Sequence, residues 1–204
     1  MRRGRVRVRW PWHSRLSGTV TMAYRARGIR PCGGLDMIYV LRLLHILSGA
    51  FWYGAVVFSV RFLAPSLRDA GPAAGPVLAQ LNRRNPSAAM MGAALVNVAS
   101  GIWLIFLVSG GAPAAWMRSG MGRTIGLGAG LAILALVVGM SMSAPSMHRL
   151  GRLGAAAAQR GGPPTADEAA EIARLQKRLA LATTFVAILL TLAVSAMALA
   201  RYVP

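Results

Sequence analysis

The chain reads as an all-α protein, a four-transmembrane-helix bundle, on three observations. Hydrophobic residues make up 55% of the 204 and charged residues 14%, whereas soluble domains run near 45–50% apolar and about 25% charged. The apolar residues fall in four runs of 22 to 26 residues, and about 20 residues at a 1.5 Å rise cross a ~30 Å hydrocarbon core. None of the runs alternates with period two, so helices rather than barrel strands satisfy the backbone in lipid.

Residues 1–36 precede the first run and form a basic, Arg-rich N-terminal arm. Nine arginines stand against Asp36 alone. The arm has no apolar stretch of its own, which argues against a cleavable secretory signal. Three readings compete: a membrane-surface arm, a targeting segment, or upstream sequence joined to the true start. The last is the expectation, with the working chain opening at Met37. Residues 37–204 are then the four-span membrane domain.

The first span, 37–60, lies between Asp36 and Arg61 and is interrupted only by Arg42 and His45. Residues 61–86 are punctuated by Pro and Gly and read as a loop. The second span, 87–112, is free of charge, and 113–123 is a short connection. The third span, 124–147, ends at His148. Residues 148–164 are rich in Gly and Ala, and their composition predicts a mobile loop. Thr165-Ala-Asp-Glu168 then matches a capping box, in which the Thr hydroxyl and the Glu carboxylate take up free amides at a helix start. A helical pattern continues from there through Lys177 and Arg178 into the fourth span, 179–200, so this helix projects about three turns beyond the apolar run at ~3.6 residues per turn.

An even number of spans puts both ends of the domain on one side, here side A, and the first and third connections on side B. The side B segments hold ten Lys and Arg residues, while side A without the arm holds Arg118, Arg123 and Arg201. The positive-inside rule makes side B cytoplasmic, and including the arm reverses the tally. Tyr39, Trp116 and Tyr202 are placed for an aromatic belt on side A. The net charge of +18 is spread around apolar runs, so the expected partner is the lipid bilayer, with a homo-oligomer or another membrane protein as further partner and no nucleic acid. A single cysteine, Cys32, excludes an intrachain disulfide framework. With one acid, Asp69, between Asp36 and Asp167, a relay of buried carboxylates is excluded as well.

Chemistry concentrates in the first span. Arg42, His45, Ser48, Gly49, Trp52 and Ser59 recur at three- and four-residue steps, one polar and small stripe on a helix. An ionisable group inside a span is costly and therefore faces the bundle, where a partner or cavity exists. Gly49 and Gly54 admit a neighbouring helix or a flat cofactor. Two readings of His45 stand open. It is a ligand of haem or copper through a neutral imidazole nitrogen, or it hydrogen-bonds to a serine or backbone carbonyl on the next helix.

Depth arithmetic limits its companions. His45 sits about 5 Å from its span centre toward side A and His148 about 19 Å toward side B, so the two cannot share one iron within a subunit. Nearest in depth are Ser195 and, a turn further out, Met197, both on the fourth span. A Ser195 partner favours packing, whereas a Met197 partner favours His/Met ligation. Asn97, Ser100, Thr184, Thr191 and Ser195 read as polar residues that join membrane helices. Gly126 and Gly130 form a GxxxG pair, and Met140-Ser-Met142 is a thin copper signal.

The order Arg42, His45, Gly49, Trp52, Gly54 in a four-span protein resembles the first helix of a group of bacterial membrane families. These are the CopD-like membrane domains, the DUF2269-type four-helix proteins and the haem-dependent protoporphyrinogen oxidases. The resemblance implies a multi-pass protein of the bacterial inner membrane in which His45 is the haem or metal ligand. Arg42 is then set for a propionate or lipid headgroup, Trp52 for stacking on the cofactor and Gly49 for its close approach. Haem b is the implied cofactor, with copper second. The chain departs from the oxidase pattern because its third and fourth spans offer no buried Lys or second His. A cofactor-binding, non-enzymatic role therefore leads, with a membrane scaffold or accessory subunit as the alternative and a porphyrin oxidoreductase third.

Overall fold

The computed structural model describes residues 34–203, so the arm up to residue 33, and with it the question of the working start, lies outside the described residues. Two compact units are distinguished, Met1–Val40 and Leu41–Pro204. The described part of the first is the opening of helix α1, and the bundle belongs to the second.

Helix α1 (Gly34–Phe58) passes through a π-helical turn, Ser59–Leu63, into α2 (Ala64–Asp69). A 3₁₀ turn leads to α3 (Ala74–Arg83), and Asn85, left-handed at φ +49°, turns the chain into α4 (Pro86–Val108). The short α5 (Pro113–Trp116) precedes α6 (Gly120–Val138), whose first turn is capped by Ser119. A second π turn, Gly139–Ser143, joins α6 to α7 (Ala144–Arg160), and α8 (Ala166–Leu199) closes the chain. The described residues are helical nearly throughout and contain no strand.

Four helices are long and apolar enough to cross a bilayer: Met37–Asp69, Pro86–Val108, Gly120–Arg160 and Ala166–Tyr202. The protein is therefore an all-α, four-transmembrane-helix bundle. Leu43, Ile46, Phe51, Leu127, Leu181 and Leu192 face outward uncovered. In water such a girdle would be far larger than the few hundred Å² of apolar patch a soluble monomer carries, whereas lipid solvates it.

Two expected loops are instead helical. Residues 61–69 and 148–160 prolong the first and third spans. The same tripeptide, Ala-Pro-Ser, stands within the first extension at 64–66 and just before the second at 144–146. A proline inside a helix has no N–H, and its ring crowds the carbonyl four residues back. Here the preceding turn widens, with Ala64 N–H bonded to Ser59 O and Ala144 N–H to Gly139 O, five residues back. That widened turn absorbs the proline without ending the helix. Beyond it α7 packs on the start of α8, tied by the ion pairs Arg149–Glu171 and Arg160–Glu168. Gly161, at φ +68°, ends α7 in the left-handed conformation that a glycine accepts most cheaply.

The capping box of α8 is formed as expected. Thr165 Oγ1 accepts from the Glu168 N–H, and the Glu168 carboxylate accepts from the Thr165 N–H. That backbone hydrogen bond, then the Arg160 guanidinium, hold the Glu168 carboxyl below the ordinary glutamate range. A lowered carboxyl pKa adds stability above the unfolded value, and this is lost as pH falls through the folded one. Thermal unfolding in detergent should accordingly show an acid-side loss of stability below the ordinary glutamate range that Glu168→Gln removes. An unchanged acid limb in that variant would count against the cap as its source.

The helices pack in ring order. The first span meets the second through His45 and the fourth through Tyr53, whose Oη lies 3.3 Å from Thr191 Oγ1. The third packs against both the second and the fourth. At the centre Trp52 and Val56 of α1 meet Ala94 of α4, Ala135 of α6 and Val186, Leu189 and Leu190 of α8. One large indole thus fills the space that two alanines leave. Of the glycines in the third span, Gly128 makes the close approach to α8, where an added Cβ would stand 3.0 Å from Ala193 O, whereas Gly130 meets nothing. The contact is made by one glycine rather than by the GxxxG pair.

Candidate intramembrane ligand site

His45 faces the second span. Its Nδ1 lies 2.8 Å from the backbone O of Asn97. A carbonyl only accepts, so this contact puts the ring proton of the neutral imidazole on Nδ1. Asn97 returns the interaction, donating from Nδ2 to His45 O at 2.8 Å. Ser100, whose hydroxyl donates to Val96 O at 2.6 Å, stands 3.4 Å from Nδ1 and is able to share its proton. Asn97 and Ser100 are both buried. Reciprocal bonds of this kind are what keeps polar groups affordable between membrane helices.

Two glycines make the clasp close. A Cβ on Gly49 would stand 2.6 Å from Asn97 Nδ2, and a Cβ on Gly101 would stand 2.8 Å from His45 Cε1 and 3.1 Å from Nδ1. Real side-chain contacts do not reach such distances, so the ring lies flat against the bare backbone at Gly101. Nε2 has no hydrogen-bond partner among the described residues, and no sealed-in side-chain nitrogen or oxygen there lacks one. Nε2 is therefore not sealed in, and His45 borders open volume.

That volume is a cavity of about 320 Å³. His45, Arg42 and Asn97 line it at mid-span; from there it follows the α4 face Gly101, Leu104, Ile105, Val108 toward side A, where Trp116 and Met121 line it. Ile125, Ala129 and Ala132 of α6 form another wall, and Met197 enters from α8. The lining is apolar apart from Arg42, His45 and Asn97 (the make-up of small-molecule sites, which begin near 300 Å³).

The predicted stripe of α1 divides along its length. Arg42 and His45 reach the cavity, while Gly49 receives the Asn97 side chain. Trp52 is 5% exposed in the central core and is not among the cavity-lining residues. Its expected stacking position is thereby corrected: seven residues beyond His45, about 10 Å along the axis, the same helix face has entered the core. Ser48 and Ser59 bond carbonyls of their own helix. Ser195, expected near His45, is exposed and does not line the cavity, whereas Met197 does. Gly54 faces open space.

Sequence reasoning left two partners open for His45, a serine or backbone carbonyl on the next helix and a group of the fourth span, and in the structure the partner is the Asn97 carbonyl of the second span. Depth gives an axial coordinate only and leaves the lateral neighbour open. Gly101 was missed altogether. Its signal was present in the spacing, since Asn97, Gly101, Ile105 and Val108 recur at helical steps on one face of the second span. His148 is exposed on α7 beside Arg149, and Met140 and Met142 lie in the second π turn, none of them lining the cavity. Among the described residues no three His, Cys, Asp or Glu side chains gather as a metal cluster.

Fold and surface define a multi-pass membrane protein with a cavity opening inside its bundle. No protein-family model, curated protein or solved structure matches the chain.

Proposed function

We propose that the protein binds a flat, largely apolar prosthetic group in this cavity, with His45 Nε2 as its ligand and haem b as the group. The observation that carries the reading is the clasp on Nδ1. Metal-binding histidines commonly donate their second ring N–H to a carbonyl, which fixes the tautomer and aims the free nitrogen. The donor set fits a haem iron: one imidazole and two thioethers, Met121 and Met197, line the cavity, and Arg42 beside them suits a propionate. Bound haem would supply one-electron chemistry. The chain's own residues bind, orient and exclude water. This agrees with the resemblance of the first span to the CopD-like and DUF2269-type families, and with placement in a bacterial inner membrane.

A second reading, a membrane scaffold or accessory subunit, has its own support. The two 2.8 Å bonds between His45 and Asn97 join the first two spans without any ligand. One experiment separates the two. Detergent-purified protein titrated with haemin should give a saturable Soret band that is lost in His45→Ala, with affinity down about 100-fold or more, as loss of a sole strong ligand implies. A colourless wild type, or a His45→Ala variant that binds equally well, overturns the ligand reading and leaves the scaffold.

A further inference from the structure

Helix α3 is tethered at both ends to membrane-crossing helices. Asp69 closes the first and Pro86 opens the second, so α3 is held at the side B surface with little slack. Ala74, Val77, Leu78 and Leu81 recur at steps of three, four and seven and form one apolar stripe, flanked by Gln80 and Asn82 and opposite Pro76, Ala79 and Arg83. No residue of α3 is buried, and Val77 and Leu78 are 58% and 40% exposed. Arg68 precedes the helix, Arg83 and Arg84 end it, and Asp69 is the only acid nearby.

We propose that α3 is an interfacial anchor. It lies in the plane of the membrane surface, its Val77–Leu78–Leu81 stripe set among acyl chains and Arg83 and Arg84 on the phosphates of anionic lipids. The tethers hold the helix at the depth where such a stripe is solvated by lipid. The cationic end supplies the complement to an anionic leaflet, as basic segments flanking membrane helices do. A polar stripe facing water and an apolar stripe facing lipid leave no unmatched face. The same pair of arginines would also hold free phosphate, so the test must contain acyl chains.

Full-length protein in a Cys32→Ser background, carrying Val77→Cys or Ala79→Cys with a spin label, is reconstituted in phosphatidylcholine vesicles with and without phosphatidylglycerol. Collision with oxygen reports lipid, and collision with a nickel chelate reports water. The oxygen-to-nickel ratio at position 77 should exceed that at 79 by about threefold or more, the difference between the two faces of an interfacial helix. Phosphatidylglycerol should widen the contrast, and Arg83→Gln with Arg84→Gln should remove that widening, while inorganic phosphate leaves it unchanged. Equal nickel access at both positions would place the helix in water and overturn the proposal. Protection of position 77 from both reagents would mean a protein covers the stripe, a second copy or another chain, and would overturn it equally. A contrast insensitive to phosphatidylglycerol would overturn the anionic-lipid assignment.

Discussion

Gly101→Val should unseat the His45 imidazole and, with it, abolish haemin binding. The ring has nowhere to retreat. On one side a Cβ at 101 would stand 2.8 Å from Cε1, and on the other Nδ1 is held 2.8 Å from Asn97 O. Relief requires a new rotamer, which breaks the Nδ1 hydrogen bond and turns Nε2 away from the cavity. Lost interhelix bonding is worth about 0.6–1.7 kcal/mol in a membrane, and overpacking about 1–3 kcal/mol. The sum, about 2–5 kcal/mol, exceeds any gain in helix propensity from replacing a glycine, which is below about 1 kcal/mol. Gly101→Ala should show the same defect in milder form, because its Cβ alone already meets Cε1 at 2.8 Å while the propensity gain offsets at most about 1 kcal/mol. A double-mutant cycle gives the decisive measurement. Once His45→Ala removes the ring, Val at 101 no longer clashes, so the double variant should unfold at higher denaturant than Gly101→Val alone. Simple additivity of the two changes would show that the ring does not sit on Gly101.

The spans were legible because lipid imposes a demand that a sequence cannot disguise: every residue of a crossing segment must tolerate hydrocarbon. The extensions beyond them were less so. Pro65, met in a Pro- and Gly-punctuated stretch, reads as the mark of a loop, yet it sits in a continuous helix because the turn at Ser59–Leu63 widens ahead of it. Residues 148–160 lack apolar bulk, and their helix is held by packing and ion pairs with α8, partners far along the chain. Local composition carries no record of such support. Glu168 is the opposite case, where a cap closed within four residues of chain was readable in full.

For the site, the part written in one helix was visible and the part written between helices was not. An intramembrane histidine announces itself by its cost, and Arg42 one turn earlier shares its face. The identity of the facing helix depends on lateral packing, which no axial count supplies. Asn97 and Ser100 were recognised as residue types that link helices, without the link being assigned. Gly101 shows in the sequence only as a helical step from Asn97, because a glycine's role there is to leave space that the side chain of another helix occupies.

Trp52→Ala should lower stability by about 2–4 kcal/mol while leaving haemin binding essentially intact. The indole is packed among Val56, Ala94, Ala135, Val186, Leu189 and Leu190, with Ala135 itself fully buried. Soluble cores lose about 3–5 kcal/mol on a Trp→Ala change, partly through transfer of apolar surface and partly through the void left behind. In a bilayer the transfer part largely vanishes, since lipid is as apolar as the core, and lost packing remains. Trp52→Phe, which keeps a ring in the gap between the two alanines, should lose about half as much, in line with the smaller void. Paired denaturation and haemin titration of the same samples test both halves of the claim. Should haemin affinity collapse while unfolding is unmoved, the indole would have to touch the cofactor, and the division of the α1 stripe between cavity and core would be wrong. Should both be unmoved, the core assignment itself would fail, because removing an indole packed against six core side chains has to cost stability.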